Sequence, residues 1–275
     1  MGRKIVEEKI LSSIYENLRL GKKSAMVILT HDEGSTPRGS GTMMAVCEDG
    51  KIEGTIGGGN IEKVSIEKAT ECILANQNKE YEFDLSDEGS LHMQCGGKAK
   101  IYIKIFSPKK KLIIIGAGHI SIELYKLAQI LGFKVHIVDD RIEFANRDRF
   151  PEADEIIVGN IRDSVRNEHI DPNTFIVIVT RGHIWDEDAL RECINRKSAY
   201  IGMIGSKNKT EHIIKKLIKE GVNKDSLNNV YAPIGLDIAK EEPSEIALSI
   251  ISEIMLIKNN GTLNHMRNIK ALNLN

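Results

Sequence analysis

The chain has 275 residues, enough for two domains or one large one, and 41 % of them are hydrophobic, so a sizeable core is expected. Its 38 lysines and arginines are matched by 39 aspartates and glutamates. That balance argues against nucleic acid or a membrane surface as a partner, and the composition argues against a disordered chain.

The opening MGRKIVEE is interrupted by acids before any apolar run develops, so no secretory signal is expected, and no stretch approaches the ~20 apolar residues of a membrane span. The four cysteines, Cys47, Cys72, Cys95 and Cys193, form no C-x-x-C pair, which fits neither a disulfide framework nor a closed zinc site. A cytoplasmic protein is expected.

Val6, Ile10, Ile14 and Leu18 form an i, i+4 stripe that predicts an amphipathic helix ending at Gly21. Ala25–Leu29 has strand length. Residues 42–47 and 52–56 flank Asp49-Gly50 and predict a hairpin. Ile61, Val64, Ala69, Cys72 and Ile73 repeat at helical spacing, and two strand-like runs follow at 80–85 and 99–106. This is a compact α+β unit, and the polar Ser107-Pro108 stretch sets the expected boundary between domains 1–107 and 108–275. Strand–helix alternation then takes over, with strands predicted at 112–115, 135–138, 155–158, 175–179 and 200–204, and helices after Gly118 and near 186–196 and 207–220. Short apolar strands between helical spans argue a Rossmann-like parallel sheet. Residues 243–257 read as a buried C-terminal helix with proline in its first turn, packed against the first domain or a second protomer. The expected fold is thus α/β: an N-terminal α+β domain, a Rossmann-like domain and a helical tail.

Gly116-Ala117-Gly118-His119 sits directly after a strand and opens a helix, where a phosphate loop belongs. Gly116 permits the tight turn and Gly118 lets backbone approach a pyrophosphate. Asp139 ends the next strand, placed to accept from a ribose hydroxyl, while Arg141 leaves room for a 2′-phosphate. Ser121 stands at the third glycine position and weakens the fingerprint. NAD(P) or another nucleotide is the expected ligand. Gly205-Ser206 repeats the logic at a later strand-to-helix turn, with a solvated lysine-rich helix start as the plainer reading.

Three loops in the first half are unusual. Ser35, Thr36 and Arg38 bring hydroxyls and a guanidinium into a glycine-bearing loop suited to a phosphate or planar polar ligand. Gly57-Gly58-Gly59 opens a helix, with Glu62 in its first turn either serving the ligand or favoured by the helix macrodipole. Cys95, followed by Gly96 and Gly97, is the thiol most open to act as a nucleophile or soft metal ligand; Cys72 and Cys193 fit core positions.

Taken in order, these loops resemble the XdhC/CoxI family of accessory proteins for molybdenum hydroxylases of the xanthine dehydrogenase type. The matching segments are Gly34–Gly39, Gly54–Gly59 with Glu62, Cys95–Gly97, Gly116–His119, Val138–Arg141, Arg149–Pro151, Tyr200–Ser206, Ala232–Ile238 and Pro243–Ala247. The resemblance implies a chaperone rather than a turnover enzyme. It would bind the molybdenum cofactor, as molybdopterin or its dinucleotide form, support sulfuration, and hand the cofactor to the apo molybdenum hydroxylase. A cysteine desulfurase would be the second partner, and a homodimer is expected. Carried over, the cofactor would be held by Ser35, Thr36 and Arg38, by Gly57, Gly58 and Gly59 with Glu62, and by Cys95, Gly96 and Gly97, with Cys95 as the catalytic and metal-facing thiol. In the second domain Gly116, Gly118, His119, Asp139, Arg141, Gly205 and Ser206 would hold the nucleotide. Some members carry a second cysteine in the glycine-triplet loop where this chain has Asn60, so a two-thiol chemistry there is not expected. The rival readings are an NAD(P)-dependent oxidoreductase, which lacks a recognisable proton donor, and a ligand-sensing scaffold.

Overall fold

The computed structural model describes residues 2–34, 38–85 and 97–270. The chain divides into two compact units, Met1–Pro108 and Lys109–Asn275.

The first unit runs α1 (Gly2–Arg19), β1 (Ser24–Glu33), β2 (Met43–Cys47), β3 (Ile52–Gly54), α2 (Gly59–Ala75), β4 (Lys79–Asp84) and β5 (Lys98–Phe106). Its five strands form an antiparallel sheet in the order β3-β2-β1-β5-β4. The central strand explains the layering. Ala25, Val27 and Leu29 point to one face, where Ile61, Ala69, Cys72 and Ile73 of α2 close over them. Met26 points to the other, against Ile10 and Ile14 of α1. A strand buried on both faces needs apolar residues at consecutive positions, and Ala25–Leu29 supplies them. β1 runs on to Glu33 past a register shift between Leu29 and His31, longer than its apolar run predicts, because β5 supplies hydrogen-bonding partners to the end. β3 stops at Gly54, where φ is +86° and an added Cβ would press on the Ile10 side chain and the Met43 carbonyl.

The second unit contains β6 (Lys111–Ile115), α3 (His119–Ile130), β7 (Lys134–Asp139), β8 (Glu155–Val158), α4 (Ile161–Asn167), β9 (Thr174–Ile178), α5 (His183–Cys193), β10 (Tyr200–Met203), α6 (Lys207–Lys219), α7 (Lys224–Asn228), β11 (Val230–Tyr231), α8 (Pro243–Lys258) and α9 (Met266–Ile269). All strand pairings are parallel, in the order β11-β10-β9-β6-β7-β8. Renumbered within the unit this is 3-2-1-4-5-6 read from the other edge, the doubly wound order of dinucleotide-binding sheets, with its reversal between β6 and β9. Leu112 and Ile114 face the core shared with α3 and α8, while Ile113 and Ile115 face the core shared with α4, α5 and α6.

The C-terminal helix α8 packs on α3 of its own unit, burying Ala247, Ile250, Ile251 and Ile254. The sequence pattern suggests burial around most of its circumference; instead Leu248 is half exposed, so one face suffices. Four short elements carry no periodic signal, namely α4, α7, β11 and α9.

Candidate functional site

The register of the antiparallel sheet brings several strand ends together. Glu33 pairs with Lys98, Asp84 with Lys98, and Met44 with Gly54. The ends of β1, β3 and β4 and the start of β5 therefore lie at the same end of the sheet. Past the pairing of Asp84 with Lys98, the Gly97 carbonyl accepts the Leu85 N–H at 2.8 Å. Ser35, Thr36, Cys95 and Gly96 lie outside the described residues. A cavity of about 320 Å³ opens against α1, lined by Glu7, Ile10, Arg38, Thr42 and Thr55 among others.

The glycine triplet differs from the anion cradle predicted for it. Glu62 reaches back from the first turn of α2, and its Oε2 accepts the Gly58 N–H at 3.0 Å, the Ile56 N–H at 3.2 Å and the Thr55 hydroxyl. The Gly57 N–H goes to Thr55 Oγ1 at 3.1 Å. Partial burial works against the charged carboxyl, but the Thr55 hydroxyl and the N–H groups outweigh it and hold Glu62 below its ordinary value. Three of the loop's N–H groups are thus spent on the protein's own hydroxyl and carboxylate. Arg38 lines the cavity.

In the second unit the turn after β6 meets the turn after β9. Gly116 has φ of +107°, and a Cβ there would collide with the Val179 carbonyl. Gly118 is the N-cap of α3, and a Cβ there would meet open space. Ser121, at the third glycine position, is fully buried and donates its hydroxyl to the Gly116 carbonyl at 2.6 Å, so it braces the turn. A cavity of about 380 Å³ lies here, at the reversal of strand order, lined by Gly118, His119, Arg141, Phe144, Thr180 and Arg181 among others. Open sheets of this topology bind ligands at that crevice.

Asp139 is 2 % exposed and its oxygens are committed. Oδ2 accepts the Ala117 N–H at 2.7 Å and Arg141 Nη2 at 3.0 Å; Oδ1 accepts the Arg141 N–H at 3.0 Å and its Nε at 2.9 Å. Burial opposes its charge, yet the Arg141 and Ala117 donors hold the carboxyl below its usual value. The sequence predicts a ribose-accepting carboxylate; the residue instead fixes the glycine turn and aims Arg141. The Arg141 guanidinium lies 3.7 Å from the Phe144 ring centroid, and Arg149, whose Nη2 donates to the Ala117 carbonyl at 3.0 Å, lies 5.0 Å from it. Arg149 Nε is buried without a hydrogen-bond partner. Arg181 donates to Asp140 at 2.8 Å.

Gly205 and Ser206 are not among the residues lining this cavity. Ser206 is the N-cap of α6, accepting the Lys209 N–H, and Lys209 Nζ turns back to the fully buried Asp186. Sequence spacing misses Thr180, Arg181 and Phe144. Position could have found the first two, because they follow the strand beside β6 at the reversal. Cys72 and Cys193 are buried, the latter's thiol pushed up to about 12 by burial, and Cys47 is buried beside Asn17 Nδ2 at 3.2 Å.

Residues 112–254 match the family described as XdhC Rossmann domain, and residues 18–84 the XdhC and CoxI family. Among curated proteins, the chain is 31 % identical over 240 residues to the uncharacterized protein YqeB of Escherichia coli (86 % of this chain). It is 30 % identical over 155 residues to a protein of Bacillus subtilis named as a probable xanthine dehydrogenase component (56 % of this chain). It spans less than half of either relative, 44 % and 45 %. It is 21 % identical to the Escherichia coli molybdenum cofactor insertion chaperone PaoD, over 90 % of this chain and 88 % of that protein. A crystal structure of a xanthine dehydrogenase from Bacillus halodurans shares the fold at 23 % identity and a TM-score of 0.53, covering 94 % of this chain and 98 % of that one. Among the described residues no helix is long and apolar enough to cross a membrane.

Proposed function

Because the chain belongs to the XdhC and CoxI family, we propose that it is a maturation factor that binds the molybdenum cofactor, supports its sulfuration and delivers it to an apo molybdenum hydroxylase. The relatives named for xanthine dehydrogenase and for molybdenum cofactor insertion support that direction. The observation that carries it is the cavity lined by Arg38, Gly39, Thr42 and Thr55, residues within or beside two of the family motifs. The donor set suits a pterin phosphate in part: Arg38 offers a charge-assisted fork, and Thr42 and Thr55 line the same cavity. The Gly57–Gly59 turn serves as scaffold, since Glu62 takes the Gly58 N–H and Thr55 the Gly57 N–H. Cys95 is the thiol of the proposal; when bound, the cofactor supplies a soft centre able to accept sulfur. A cysteine desulfurase is the sulfur donor.

The test is the pterin and molybdenum content of protein purified from a molybdate-replete host, with activation of an apo-hydroxylase as second readout. Wild type should retain pterin and activate. Cys95→Ala should retain pterin and lose most of the activation, because Arg38 and the threonines of its cavity hold the cofactor while the thiol relays sulfur. Wild type that never binds pterin overturns the reading, and full activation by Cys95→Ala removes the thiol from it.

The cavity at the sheet reversal supports a second ligand, an adenine nucleotide or NAD(P). Its favouring observation is Gly118, open to solvent at a helix N-terminus and flanked by Arg141 and Arg181. Turnover with NAD(P)H by the purified protein would favour an oxidoreductase; nucleotide binding without turnover would favour the maturation factor.

A further inference from the structure

The amino-terminal edge of the parallel sheet, opposite the nucleotide cavity, holds a separate cluster. His136 and Glu155 are paired across β7 and β8, and Glu168 caps the end of α4. His136 Nδ1 lies 3.1 Å from Glu168 Oε2 and 3.4 Å from Glu155 Oε2, and the three ligand atoms all lie within 4.8 Å of one another. A cavity of about 620 Å³ opens beside them, lined also by Asn160, Asp163 and His169.

We propose that His136 Nδ1, Glu155 Oε2 and Glu168 Oε2 form a binding site for a divalent transition-metal cation, with zinc the best match. Four-coordinate zinc takes imidazole and carboxylate ligands at roughly 2.0–2.2 Å, which sets neighbouring ligand atoms roughly 3.3–3.6 Å apart. The two distances from Nδ1, 3.1 and 3.4 Å, lie close to that spacing. The two oxygens of Glu168 are already divided as a ligating carboxylate requires. Oε1 accepts Lys111 Nζ at 3.0 Å and the His169 N–H at 3.1 Å, leaving Oε2 to face the imidazole. Such outer hydrogen bonds orient metal-binding carboxylates. Glu168 Oε2 and the exposed Glu155 Oε2 both face the one Nδ1 of His136, at 3.1 and 3.4 Å. A cation at their common point serves all three, and the fourth position opens to the cavity for water. The donor set, one nitrogen and two oxygens without thiolate, suits zinc, cobalt or manganese over copper(I).

The experiment uses the full chain, stripped with a chelator and titrated with zinc by calorimetry, then with cobalt(II) followed by visible absorption. Wild type should take up one zinc at this site and show the cobalt band of a low-coordinate nitrogen and oxygen centre. Glu155→Gln should weaken zinc binding by about tenfold or more. With its side chain 56 % exposed, that change leaves the fold intact. His136→Ala should abolish the tight event and the cobalt band. Wild type without stoichiometric zinc uptake, or both variants binding like wild type, overturns the proposal.

Discussion

At Asp139 four hydrogen bonds converge on one buried carboxylate, from Ala117 and Arg141. Removing one partner of a buried pair costs about 3–5 kcal/mol because the other charge is left uncompensated. Asp139→Asn keeps the shape and loses the charge, so it should destabilise the second unit toward the lower end of that range near neutral pH. The pH dependence has a definite sign. The folded carboxyl lies below its ordinary value, so its contribution is complete above the unfolded value of about 3.9 and is lost as pH falls through the folded one. The gap in thermal midpoint between wild type and Asp139→Asn should therefore hold steady from about pH 6 down to about pH 4 and shrink below that. A gap independent of pH would show that the charge contributes little. Spacing alone makes this residue visible, since an acid ending the second strand is a recognised position. It does not make its partners visible: in the sequence Asp139 and Glu62 both look offered to ligands, yet both face backbone N–H groups of their own glycine turns. A sequence places a carboxylate near a turn; only the folded turn decides whether its donors point inward.

Longer elements are legible where a period can repeat. The apolar runs of β6 and β9 and the stripe of α2 need only five to seventeen residues to declare themselves. The seven residues of α4 and five of α7 span too little for a helical period, and their usable signal is the cap, Asn160 accepting from Asp163 and Asn223 from Asp225. The partner of α8 cannot be read from its pattern, because an apolar face does not say what it packs on. Its burial can be tested by two substitutions of similar chemistry. Ile254 is fully buried against the α3 side of the sheet, while Leu248 on the same helix is 51 % exposed. Ile254→Ala should cost about 2–5 kcal/mol in urea unfolding, and Leu248→Ala within about 0.5 kcal/mol. Equal costs would mean that α8 packs differently, or that another surface covers Leu248.

For the whole molecule the question is whether one ligand or two explains the pair of cavities. Arg38 and its cavity are built from residues of the first unit, and Gly118, Arg141 and Arg181 from residues of the second. Each cavity has its own cation and its own glycine turn, so each ligand should be held without help from the other. The prediction is a crossed pair of variants. Gly118→Val fills the open space at the start of α3 and should reduce adenine-nucleotide affinity by about tenfold or more while leaving pterin content unchanged. Arg38→Ala should do the reverse. A local probe exists for one half: Trp185, the single tryptophan, packs against the core of the second unit. Nucleotide at about 100 times the wild-type Kd should stabilise that unit by about 2.7 kcal/mol in wild type and Arg38→Ala, and by about 1.4 kcal/mol or less in Gly118→Val, with fluorescence midpoints shifted in proportion. If either substitution removed both nucleotide and pterin, the independence of the two cavities would be overturned.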